Sequence, residues 1–401
     1  MAGKRAFLLG LDGLGTRQVE HLRVAGDLPF LAAEHAAARL VPLKMPFPTS
    51  PAGWGSALTG LNPGWHGRYG DGTGGDAPAF PTLPEALKGR GDAVACRDLP
   101  ADAAAAPEDE PFSPDAHLPR LQELVSTIDD ALRSSLERWR AGDAVLHVVR
   151  LPELESLLAL CADYLFFGHP AFDLDRSPAF AEILRKALGL CDAALAETVA
   201  AARPDDLVVA LSTWACGSRR TELDLRAWLV GNGFLFASAE AVDGERTRAV
   251  PAGDFVRVAR RGREPYGAVE QGKEAAEVAA AVEEGLRGLV DPRHGVPIVR
   301  QVHRARDLYT GDRFDDAPEL FVETYPGVAV TATGAGDPVR PATAVSARAR
   351  GRLIGEGAGL LYCSRGVRAG TAPTPLDLHA TLAAWFDLPR DRYAEGEGLL
   401  P

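Results

Sequence analysis

The sequence predicts an α/β fold: a mainly parallel sheet with helices on both faces. Three observations carry that reading. Short apolar runs, Phe7-Leu-Leu-Gly-Leu, Ala144-Val-Leu-His-Val-Val149 and Leu207-Val-Val-Ala-Leu211, have the length of buried strands. Each is followed by a helical stretch, about Thr16 to Ala38, about Glu153 to Ala202, and Leu223 to Gly231. Repetition of strand then helix places helices across a parallel sheet. Finally, 401 residues that are 46% apolar suffice for a sizeable core.

The elements follow in order. The first strand ends in the polar turn Asp12-Gly, and the strand at Leu207 to Leu211 runs into Ser212 to Cys216. Both lie past the carboxyl end of a strand, where parallel sheets place their chemistry. Asp71 to Pro119, rich in Gly, Pro, Ala and acids, reads as a loop-rich excursion. Ser238 to Arg313 reads as an inserted module with a helix between Lys273 and Leu289. Leu320-Phe-Val-Glu-Thr then returns the chain to a last strand, Arg352-Leu-Ile-Gly, and a terminal helix, Leu376 to Phe386. The expected division is therefore a core over 1–237 and 314–401, with an inserted module over 238–313.

A net charge of −12 argues against a broad nucleic-acid surface and leaves a local basic pocket open. Cys96, Cys161, Cys191, Cys216 and Cys363 are scattered, odd in number and without C-x-x-C spacing, against both a disulfide framework and a structural zinc site. The apolar run at Phe7 is too short for a signal-peptide core or a membrane span, so a soluble cytoplasmic protein without membrane partners is expected. The oligomeric state is not legible.

Several segments together resemble a known family. Leu9-Gly-Leu-Asp12-Gly is followed by Gly26-Asp-Leu-Pro-Phe-Leu and by Thr49-Ser50-Pro-Ala-Gly-Trp-Gly-Ser-Ala-Leu-Thr59-Gly-Leu-Asn-Pro-Gly-Trp-His66-Gly. Trp228-Leu-Val-Gly-Asn-Gly-Phe-Leu, Arg261-Gly-Arg-Glu-Pro-Tyr-Gly-Ala-Val, Asp291-Pro-Arg-His-Gly-Val-Pro-Ile-Val, Leu308-Tyr-Thr-Gly, Ala317-Pro-Glu-Leu and Thr374-Pro-Leu-Asp-Leu-His-Ala-Thr-Leu come later, in order. The set resembles the type I phosphodiesterase/nucleotide pyrophosphatase family of the alkaline phosphatase superfamily. The resemblance implies an alkaline phosphatase-like α/β/α sandwich. It also implies phosphoester hydrolysis by a Ser or Thr nucleophile between two zinc-like ions about 4 Å apart, held by about six carboxylate and imidazole ligands.

Carried over residue by residue, the resemblance implies that this two-metal site is largely lost. Asp12 matches the first metal-ligand aspartate and Ser50 the nucleophile. The Asp-x-x-x-His pair falls on Glu155 and Ala159, and the Asp-His of the next motif on Thr213 and Trp214. The last histidine, four residues before Gly351, falls on Ala347. Only Asp12 and Ser50 are unaltered, with Glu155 a conservative replacement. Trp214 is expected to fill space the metals would need.

Plainer roles compete. Ser50 could cap the helix before Pro51, and Asp12 could cap the helix starting near Thr16. His66, His147, His169 and His379 read as structural, and Glu153, Glu155 and Asp163 as a solvated acidic face or metal remnants. Arg219 and Arg220 could bind an anion or lie on the surface. Three functions stay open. The first is a pseudoenzyme binding a small anionic or phosphorylated ligand, or a partner, with no cofactor. The second is a metal-independent enzyme using Ser50. The third is a phosphoester hydrolase with a non-standard zinc or manganese site.

Overall fold

The computed structural model describes residues 3–70, 80–97, 110–237, 241–334, 336–342, 344–345, 351–353 and 359–401. Six strands form the central sheet, in the order Leu40–Leu43, Gly359–Cys363, Asp206–Ser212, Arg5–Gly10, Leu146–Arg150, Val94–Arg97. Arg5–Gly10 pairs in parallel with both Leu146–Arg150 and Asp206–Ser212, and Val94–Arg97 joins in parallel at one edge. Gly359–Cys363 runs antiparallel to both its neighbours. Successive side chains of a strand point to opposite faces, so a sheet covered on both sides needs apolar residues throughout. Phe7 and Leu9 enter one apolar cluster while Ala6 and Leu8 enter another.

The first cluster packs against the helices Thr16–Val24, Pro29–Ala36, Pro114–Ala141, Pro152–Leu165 and Ser177–Ala200. The second packs against Ser50–Thr59, Leu83–Gly89 and Pro375–Trp385. The α/β/α sandwich expected from the sequence is therefore present. A four-stranded antiparallel sheet, ordered Val299–Arg304, Leu320–Thr324, Phe255–Val258, Ala249–Ala252, lies under the helix Lys273–Arg287. A three-stranded sheet of Val328–Thr331, Thr221–Asp224 and Val339–Pro341 shares its apolar cluster.

Several expectations need correction. Leu320–Thr324 does not return to the central sheet but pairs with Val299–Arg304 and Phe255–Val258. The last strand of the central sheet is Gly359–Cys363. Among the described residues Gly351–Leu353 pairs with Ala215–Gly217, in a two-stranded ribbon. The excursion at Asp71 to Pro119 contains the helix Leu83–Gly89, the edge strand Val94–Arg97 and the start of the helix Pro114–Ala141. The long helical region after residue 152 is two helices, Pro152–Leu165 and Ser177–Ala200. None of the helices among the described residues is long and apolar enough to cross a membrane.

Candidate functional site: a carboxylate held by five donors

Asp12 follows the central strand Arg5–Gly10 and is 1% exposed. Its Oδ1 accepts from Thr213 N at 2.8 Å and Thr213 Oγ1 at 2.9 Å. Its Oδ2 accepts from Trp54 Nε1 at 2.5 Å, Ser50 Oγ at 3.1 Å and Arg150 Nε at 3.3 Å. Two carboxylate oxygens offer about four lone-pair positions, and five donors already converge on them. Neither of the plainer roles holds. The helix Thr16–Val24 is capped at Gly15, and Asp12 takes no part in its first turn.

Ser50 is the first residue of the helix Ser50–Thr59, so the cap is Thr49, whose Oγ1 accepts from Ala52 N. The Ser50 hydroxyl is left to donate to Asp12. In the same helix Trp54 is fully buried and aims its indole N–H at the same carboxylate.

Arg150, passed over in the sequence, is central here. It ends the strand Leu146–Arg150 and lies opposite Gly10 in the parallel register. Its side chain is 13% exposed and bridges two buried acids, Asp12 Oδ2 at 3.3 Å and Glu155 Oε2 at 3.5 Å. A Cβ on Gly10 would sit 2.7 Å from Trp54 Cζ2 and 3.2 Å from Arg150 Cγ, so glycine is needed for both side chains to reach Asp12. A sequence signal existed: an Arg at a strand's carboxyl end, five residues before Glu155, which the resemblance aligned with a metal-ligand aspartate.

The positions that the resemblance aligned with metal ligands make other contacts. Thr213 supplies two donors to Asp12. Trp214 is buried in the apolar cluster with Leu11, Leu14 and Leu158, and its carbonyl accepts from Gly13 N and Ser212 Oγ. The group lying between the two carboxylates is Arg150, where the sequence pointed to Trp214. Ala159 packs against the same apolar cluster. Ala347 lies outside the described residues.

The three acids of the helix Pro152–Leu165 are not a solvated face. Glu155 and Asp163 are 5% and 3% exposed. Each acid meets a guanidinium: Glu153 with Arg97 at 2.6 Å, Glu155 with Arg150, and Asp163 with Arg219 at 3.5 Å. Burial pushes Asp163 up to about 6 even though Arg219 opposes it. Arg219 is itself 1% exposed and bound to Asp163 and Glu222, so it is not a surface residue.

The histidines are committed elsewhere. His66 Nδ1 accepts from Arg68 N, which leaves the proton on Nε2 toward Ser56 Oγ at 3.2 Å. Burial, helped by Arg68 and Arg313, holds its imidazole down at about 3. His169 Nδ1 accepts from Ala171 N while Nε2 donates to the Arg219 carbonyl. His147 is packed between Phe7 and Trp139, and His379 abuts Gly60. Among the described residues no group of three or more His, Cys, Asp or Glu side chains is placed to hold a metal ion. The donor set around Ser50 therefore does not fit a zinc pair: one carboxylate is saturated, the other is tied to a guanidinium, and no imidazole joins them.

No protein-family model matches the sequence, and no curated protein matches it. Solved structures do match the fold. Phosphonoacetate hydrolase from Sinorhizobium meliloti, in complex with phosphonoformate, aligns with a TM-score of 0.53 at 12% identity over 94% of each chain. Inactive murine ectonucleotide pyrophosphatase/phosphodiesterase 5 in complex with AMP aligns with a TM-score of 0.52 at 12% identity, over 99% of this chain and 97% of that one. The human protein of the same name aligns with a TM-score of 0.50 at 11% identity, over 98% and 97%. The chain thus has the alkaline phosphatase-like fold that its motifs indicate, shared over nearly its whole length with a phosphonoacetate hydrolase and a nucleotide pyrophosphatase/phosphodiesterase.

Proposed function

We propose that this protein is a pseudoenzyme: it keeps the fold of metal-dependent phosphoester hydrolases, lacks their hydrolysis, and binds a small anionic ligand. One observation carries the reading. Arg150 bridges Asp12 and Glu155, so a built-in cation takes the place that divalent ions would need. Counted formally, two carboxylates and one guanidinium leave this cluster at −1. A pair of divalent ions would add four positive charges and draw a phosphate in. Without them the cluster repels it.

The second reading, metal-independent catalysis by Ser50, draws on the 3.1 Å bond from Ser50 Oγ to Asp12. A serine hydroxyl needs a committed base to attack, and Asp12 is shared among four further donors. The absence of a disulfide among the five cysteines supports a reducing compartment such as the cytoplasm, and the net charge of −12 supports a ligand other than nucleic acid. The test is turnover of bis(4-nitrophenyl) phosphate by wild type and Ser50→Ala, with added zinc, with manganese and with chelator. Equal background rates in every condition support the pseudoenzyme. Turnover that survives chelator and disappears in Ser50→Ala would replace it with the second reading.

A further inference from the structure

The larger of the two cavities described, about 590 Å³, is lined by neither Asp12 nor Ser50. It opens between the loop after the helix Pro152–Leu165, the start of the strand Thr221–Asp224, and the segments at Asp291–Ile298 and Tyr325–Val328. Its size is ordinary for a small-molecule site, roughly 300–1,000 Å³. Three basic side chains line it, Arg220, Arg293 and His294, against a single carboxylate, Asp291.

That carboxylate is already spent. Arg293 grips Asp291 with Nε at 2.9 Å and Nη2 at 2.6 Å, and Thr221 Oγ1 adds a bond at 3.3 Å. Arg293 holds the Asp291 carboxyl down at about 2. The Asp291–Arg293 pair is therefore neutral as a unit, and the charge left in the cleft is that of Arg220.

Arg220 is positioned without being neutralised. Its backbone N–H donates to Gly327 O at 2.8 Å, and its guanidinium carbon lies 5.1 Å from the centre of the Phe166 ring. Gly327 has φ +89°, and a Cβ there would come within 2.8 Å of Arg220 Nη2, so the guanidinium rests on a backbone that only glycine leaves clear. No carboxylate pairs with Arg220 among the described residues, although the chain as a whole carries −12. An unneutralised guanidinium lining a cleft of a strongly acidic protein is suited to an oxyanion.

We propose that this cleft, and not the Asp12 cluster, takes the protein's ligand: a small organic anion whose phosphate or carboxylate head meets Arg220. Its apolar or aromatic body lies against Val296, Ile298 and Tyr325, which line the same cavity. The proposal rests on the anion-binding half of the pseudoenzyme reading and is separate from its catalytic half.

The test is isothermal titration with phenyl phosphate and, separately, benzoate, against wild type, Arg220→Gln and Gly327→Ala. Arg220 is exposed, so Arg220→Gln is expected to leave the melting temperature unchanged. Binding of either probe should weaken about tenfold in Arg220→Gln, roughly the worth of one charge-assisted contact, and should also weaken in Gly327→Ala. The stronger of the two probes identifies the head group. No saturable binding of either probe to wild type at about 10 mM, or binding undiminished in Arg220→Gln, overturns the proposal. Either failure leaves the loss of hydrolysis to be judged by turnover alone.

Discussion

Removal of Arg150 is the sharpest perturbation of the Asp12 cluster. In Arg150→Met the shape of the side chain is roughly kept, but two buried carboxylates lose the charge 3.3 and 3.5 Å away. Breaking a buried ion pair from one side costs about 3–5 kcal/mol. Asp12 retains four other donors, so the low end, about 3 kcal/mol, is the expected loss. With an unfolding entropy of about 2 cal/mol/K per residue over 401 residues, Tm falls by about 3–4 °C. Differential scanning calorimetry of Arg150→Met and of Arg150→Met with Glu155→Gln reads this directly. The second change should recover part of the loss, because one of the two orphaned charges is gone. Added Mn²⁺ should raise the Tm of Arg150→Met and not that of wild type, since the single variant exposes an uncompensated carboxylate pair. A Tm within a degree of wild type, with no response to Mn²⁺ in either protein, would refute the idea that Arg150 substitutes for a metal.

Further outcomes follow from the same geometry. Thr213→Val removes the hydroxyl donor to Asp12 at 2.9 Å; urea unfolding should show a loss of about 1.5–3 kcal/mol, as for a bond to a charged group, and an unchanged midpoint would mean Asp12 does not depend on it. Gly10→Ala drives a methyl toward Trp54 and Arg150, with an expected cost of about 1–3 kcal/mol and a shift in tryptophan emission; no change in either would show that the clash is absorbed. His66 is held down at about 3 from 6.5 by burial. The unfolded chain therefore takes up a proton below about 6.5 that the native state refuses. The stability this histidine lends is complete above pH 6.5 and is lost as pH falls toward 3, amounting to about 2 kcal/mol at pH 5. His66→Gln should accordingly show a smaller Tm difference between pH 7 and pH 5 than wild type, and an identical difference would contradict the assignment.

Asp12 and Ser50 were singled out in the sequence by the family resemblance, and each also sits at a junction the chain marks. One follows a buried strand in a polar turn, and the other precedes Pro51 at a helix start. The resemblance set Ala159, Thr213 and Trp214 where the family places metal ligands, but it did not show what those residues contact here. Arg150 is a lone arginine in the sequence. Its meaning depends on the register that sets it opposite Gly10 and on the absence of a side chain there. The burial of Glu155 and Asp163 was missed because eight-residue spacing shows a shared helical face without showing what covers it. The strand Gly359–Cys363 is an apolar run buried on both faces, like those read as strands at Phe7 and Leu207; it was missed because the last strand was placed just before it, on Arg352-Leu-Ile-Gly. Leu320–Thr324 reads as a core strand by composition alike, and only its partners in the second sheet distinguish it.

Metal content of the purified protein, read by mass spectrometry, decides whether the Asp12 cluster holds a catalytic metal. Far less than one zinc or manganese per chain is expected after incubation with either ion and gel filtration, unchanged in Asp12→Asn. Close to two metal ions per chain, lost in Asp12→Asn, would contradict this expectation.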